Sequence, residues 1–74
     1  MNASQLIAAL NSLDVGELDG VRAKLAEARR ACADLQQEEL ADKLTEAEAA
    51  LLQTDLDTYR KRVETVIARL GHLR

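Results

Sequence analysis

The sequence predicts an all-α fold, a small antiparallel helical bundle that forms one domain over residues 1–74. Two observations carry that reading. The apolar content is almost entirely Leu, Ala and Val, with Tyr59 as the sole aromatic residue, no Pro and three Gly; strong helix formers dominate and aromatic strand formers are nearly absent. Apolar residues also recur three and four apart over most of the chain, which is the period of a helix face. At 47% hydrophobic and 31% charged, the composition is neither that of a disordered chain nor that of a membrane-embedded one.

The first element is a short helix over residues 2–13. Asn2 and Gln5 have the spacing of a capping pair, and Leu6, Ile7 and Leu10 share one face. A second helix is expected over about 14–33, with Asp14 and Glu17 as its capping box and Leu13 and Leu18 as a hydrophobic staple. Its seam is Leu18, Val21, Leu25, Ala28, Cys32 and Leu35. Gly16 and Gly20 weaken the first turns.

A third helix is expected over about 36–52, with Asp34 and Gln37 near its start and a seam of Leu40, Leu44, Ala47 and Leu51. The fourth, at about 55–70, has Thr54 and Asp57 in capping-box spacing and a seam of Leu56, Tyr59, Val63, Val66, Leu70 and Leu73, with Ile67 beside it. Gly71 is placed to end it. A strict heptad from Leu51 would continue to Thr54 and Thr58, but the apolar residues fall at Leu56 and Tyr59. That change of phase predicts a turn at 53–55. The rival is one long helix from about Gln36 to Leu70, a hairpin arm that would need a dimer to cover its seams, with Ala41, Thr45, Ala49 and Leu52 forming a second stripe. The segments LDGVRAKL and LDTYRKRV share a pattern, which marks the second and fourth helices as playing equivalent roles in the bundle.

Charge is unevenly spread. The chain is balanced up to Ala33, carries a net −7 from Asp34 to Asp57, and a net +4 from Thr58 to Arg74. The third and fourth helices are therefore oppositely charged. The cations of the last helix, Arg60, Lys61, Arg62 and Arg69, surround it rather than lining one side, and no aromatic platform accompanies them. Packing against the acidic helix explains them better than a grip on phosphates. Glu38, Asp42 and Glu46 form an acidic strip at i,i+4 spacing, directed away from the Leu seam; it reads as a solvated face or as a docking strip for cations.

No constellation for catalysis emerges. Cys32 sits on a seam as a small hydrophobe, and His72 follows Gly71 near the C-terminus. No metal-ligand spacing is present, and no cofactor or metal is expected. The first Lys or Arg is Arg22, and no apolar run reaches the length of a membrane span. Met1, Leu6, Ile7, Leu10 and Leu13 make an apolar strip with no cation beside it, which suits packing within the chain or on a second copy and not a membrane surface.

The expected function is a non-catalytic protein–protein interaction module, a cytoplasmic adaptor or scaffold that self-associates. Its domain is small enough for association with another chain to be a physical expectation. The candidate contact residues are Leu6, Ile7 and Leu10 together with Glu38, Asp42 and Glu46. The alternative is a small regulator that touches nucleic acid through Arg60, Lys61, Arg62, Arg69 and Arg74.

Overall fold

Four helices form where the apolar spacing is strongest: α1 (Ala3–Asn11), α2 (Leu18–Asp34), α3 (Glu38–Leu52) and α4 (Leu56–Gly71). The computed structural model describes residues 2–73, so Met1 of the N-terminal strip and Arg74 of the basic tail lie outside the described residues. Each helix packs against its neighbour in sequence, and α1 also packs against α4. The connections are short, so successive helices run antiparallel and the four close into an up-down-up-down ring. In that ring α1 lies diagonally from α3, and α2 from α4. The matching segments LDGVRAKL and LDTYRKRV open α2 and α4 at the same point of their pattern, Leu18 and Leu56.

The ring closes around the predicted seams. Leu25, Leu44, Val66, Leu70 and Cys32 have no exposed surface, and Leu6, Val21, Leu40, Ala47 and Val63 are buried with them. Among the described residues, no buried polar or charged residue interrupts this core. Small side chains take up the remaining positions: Ala3, Ala28, Ala31 and Ala50 are buried where helices approach one another. The exceptions are the ends of the seams, since Leu18, Leu56 and Leu73 remain exposed. Most of the stripe proposed for a long single helix faces solvent instead: Thr45, Ala49 and Leu52 are exposed, while Ala41 is partly buried against the core.

The chain does turn at 53–55, and the device is the same as at 35–37. Past α2, the Gln36 N–H donates to the Ala33 carbonyl at 2.9 Å and the Gln37 N–H to the Cys32 carbonyl at 2.8 Å. Past α3, Thr54 N–H donates to Leu51 at 3.0 Å and Asp55 N–H to Ala50 at 2.9 Å. Both are the paired 6→1 and 5→2 bonds of a Schellman motif. Its left-handed position, normally glycine, is held by Gln36 at φ 61° and by Thr54 at φ 58°. Left-handed backbone in a side-chain-bearing residue costs about 1–2 kcal/mol, and a β-branched residue is a rarer occupant still.

Three of the predicted caps are relocated for local reasons. At α1 the Asn2–Gln5 capping box forms in both directions. At α2 the Asp14–Glu17 box does not form. The Asp14 carboxylate accepts from the Gly16 N–H at 2.9 Å instead, which holds 14–17 as a turn and delays the helix to Leu18. With that shift Leu18 leaves the staple position and stays exposed. Asp34 ends inside α2 and Gln37 precedes α3 without a side-chain cap, because the Schellman turn already fixes that junction. At α4 the left-handed Thr54 turns its hydroxyl back to the Gln53 carbonyl, and the cap passes to Asp55, which accepts from the Thr58 N–H at 3.2 Å. Gly71 is the last residue of α4 and does not adopt the left-handed conformation.

Leu25→Asp places an unpaired charge at the centre of the ring. It is expected to cost upwards of about 4 kcal/mol, against total stability of roughly 4–11 kcal/mol for a domain of this size, and so to abolish the far-UV helical signal or the cooperative melt. Thr54→Gly relieves the left-handed strain at an exposed site. A gain of about 0.5–1 kcal/mol, read as a rise of several degrees in Tm, is expected; a fall would show that the turn is not strained.

Candidate interaction surface

The charge asymmetry of the sequence resolves into ion pairs along both sides of α3. Toward α2, Glu48 lies 3.1 Å from Arg29 and 3.8 Å from Arg22, and it is the best-shielded carboxylate among these pairs. Toward α4, Glu46 lies 3.6 Å from Arg62 and Glu39 lies 3.2 Å from Arg69. The Arg62 Nε is closed off from solvent without a hydrogen-bond partner, so its link to Glu46 is coulombic. The two α3–α4 pairs share one antiparallel register: seven residues back along α3 match seven forward along α4. Opposite charge thus selects the register in which the seams meet.

The sequence-predicted contact residues fall into two groups. Leu6, Ile7 and Leu10 are buried against the chain's own core and present little surface to a partner, although Leu10 also lines a cleft at one end of the bundle. Glu38, Asp42 and Glu46 are all exposed. Of these, Glu46 is engaged by Arg62 within the chain. Asp42 lies in the shallow polar groove that Glu39, Lys43, Glu46 and Arg69 also line. The strip therefore runs along the α3–α4 boundary, beside the cations that face it.

A different surface gathers the exposed apolar side chains. Val15, Leu18, Leu52, Leu56 and Leu73 are the large aliphatic residues with 44–50% of their surface exposed. The first four belong to one end of the bundle, where the α1–α2 and α3–α4 connections lie together. The register that sets Arg62 against Glu46 sets Leu56 against Leu52 six residues on. Leu18 opens α2 at the same end. Leu13 and Val15 meet Leu56, Tyr59 and Ile67 around a cleft of about 220 Å³, rimmed by Asn11, Arg60 and Glu64. That volume is below the range of about 300–1,000 Å³ typical of small-molecule sites, and it suits an inserted side chain better than a metabolite.

Sequence reasoning assigned Leu18 and Leu56 to buried seams, gave Leu52 a place only in the second stripe of the rival long helix, and passed over Val15. The signal that marks them is position: each lies at or beyond the end of its helix, where no neighbouring turn remains to cover it.

The reactive side chains stand apart from this surface. Cys32 is buried, and that burial pushes its thiol above the ordinary value, away from the nucleophilic thiolate. His72 is exposed beyond the end of α4. Burial likewise raises the Tyr59 hydroxyl. Among the described residues, no group of three or more His, Cys, Asp or Glu is placed to hold a metal ion, and no helix is long and apolar enough to cross a membrane.

Glu48 and Asp42 separate structural charge from solvated charge. Glu48→Gln is expected to cost about 1 kcal/mol, because it leaves the half-shielded Arg29 without its counter-ion. Asp42→Asn is expected to stay within about 0.5 kcal/mol of the parent, since it removes only repulsion on a wet face. Chemical denaturation of the two variants side by side measures both; a larger loss from Asp42→Asn would reverse the assignment. Compared with known proteins, the chain matches no protein-family model, no curated protein and no solved structure.

Proposed function

We propose that this chain is a non-catalytic protein–protein interaction module, an adaptor or scaffold unit that binds through the apolar end of its bundle. The observation that carries the reading is the cleft that exposed Val15 and Leu56 line with Leu13 and Tyr59, at the end of the bundle where Leu18 and Leu52 are also exposed. Single exposed aliphatic residues are ordinary on protein surfaces, whereas a contiguous group is the usual mark of a contact site. The remainder of the molecule supports the same reading, since the seams are satisfied internally and hold the end rigid.

Self-association is expected from the small size of the domain. The seams close on each other within one chain, so apolar contact with a second molecule falls to the end of the bundle. The nucleic-acid reading draws less support: Arg62 and Arg69 face Glu46 and Glu39, which leaves Arg60 and Lys61 as the cations of α4 that form no ion pair among the described residues.

The reading is tested by selecting displayed random helical peptides against the folded domain. Recovery of related binders that compete with one another and lose binding to Val15→Ser and Leu56→Ser is the expected result. Selections that return no binder sensitive to those two substitutions would remove the reading.

A further inference from the structure

The apolar end carries five carboxylates on its two connections and first turns, against one cation, Arg60, which shares the cleft rim with Glu64. The α1–α2 connection and the first turn of α2 contribute Asp14, Glu17 and Asp19, and the α3–α4 connection and the first turn of α4 contribute Asp55 and Asp57. All five are exposed, and between Asn11 and Val21, and again between Glu48 and Arg60, the chain carries no Lys or Arg. The Asp55 carboxyl is held below its ordinary range by the hydrogen bond from Thr58, which keeps that charge in place at neutral pH. The end thus has exposed aliphatic side chains, a cleft sized for a side chain and a predominantly acidic margin.

We infer that the occupant of this end is a basic amphipathic segment of another protein, most simply a helix whose aliphatic face covers Val15, Leu18, Leu52 and Leu56 while its Lys and Arg side chains meet the acidic margin. The inference rests on the interaction reading above and gives the partner its chemistry. Apolar contact supplies the attraction at short range, and the carboxylates select among apolar partners by charge. Two copies meeting end to end would bring five carboxylates against five around the same patch, which opposes that form of self-association. The opposite end of the bundle lacks this character: Arg30, Asp34, Glu38 and Arg69 mix both signs there, and Leu73 is the single large aliphatic side chain exposed among the described residues at that end.

The test uses three synthetic helical peptides with one aliphatic face, Leu at i, i+3, i+4 and i+7, and a polar face of Lys, Gln or Glu. Binding to the full chain is followed by peptide fluorescence anisotropy and by backbone amide shifts. The Lys peptide is expected to bind about tenfold or more tighter than the Gln peptide, with the Glu peptide weaker than both. Its advantage should shrink as salt rises, and shrink again in the Glu17→Gln/Asp19→Asn/Asp57→Asn variant, whose folding is checked by its melt. The shifted amides should cluster in 13–19 and 51–57. Equal binding of the Lys and Gln peptides would overturn the charge-selection inference while leaving the interaction reading standing. Binding of none of the three, with amides unmoved, would overturn both. Concentration-dependent dimerisation that Leu56→Ser abolishes would replace the basic partner with a second copy.

Discussion

A chain of 74 residues with one aromatic side chain must build its core almost entirely from aliphatic residues, and that constraint shapes the rest of the molecule. Leu, Val and Ala bury little area each, so no pair of helices can close a core unaided. All four helices have to turn their apolar stripes to a common axis. The short α1 completes the ring by filling the groove between α2 and α4, with Leu6 and Leu10 fully enclosed. This explains why its apolar strip is consumed inside the domain. It also explains why the left-handed strain at Gln36 and Thr54 is tolerated, because without those two reversals the stripes of α2, α3 and α4 would have nothing to face.

Charge has a secondary, orienting part. Aliphatic seams slide past one another at little cost, since one Leu resembles the next. An acidic α3 set between cations on α2 and α4 removes that freedom: Glu48 meets Arg29, while Glu46 and Glu39 meet Arg62 and Arg69 in a single register. Exposed pairs of this kind add little stability, but several in one register discriminate against the slipped alternatives.

Much of the fold was legible because helix periodicity is a strong signal. The seam residues Val21, Leu25, Leu44, Val63 and Leu70 are buried as their spacing implied, and the change of phase after Leu51 located the turn. The helix starts were less legible. Asp14 satisfied a nearby turn rather than the helix, and the left-handed Thr54 passed its capping role to Asp55. Neither shift follows from spacing, since both depend on which backbone N–H a short polar side chain reaches first. The turns at 35–37 and 53–55 lacked glycine, the residue that ordinarily announces them. The exposed end was hidden for a different reason. Leu18 and Leu56 obey the seam pattern, and only the three-dimensional ring shows that the helices stop before anything covers them. Charge, by contrast, was readable as an opposition of segments but not as pairs, and the role of Glu48 between Arg22 and Arg29 required the packing of α2 on α3.

The whole account depends on the chain folding back at Thr54 so that the stripes of α3 and α4 close on each other within one molecule. The direct measurement is the distance between spin labels on Asp42→Cys and Ala68→Cys, with Cys32→Ser as background. Both sites are exposed. Adjacent antiparallel helices lie about 8–10 Å apart, so with label arms a narrow distribution centred near roughly 15–20 Å is predicted, unchanged on dilution with unlabelled protein. A continuous helix would separate the same positions by about 39 Å at 1.5 Å per residue. A distribution centred there would contradict the single-chain bundle and leave the seams to be covered by a second molecule.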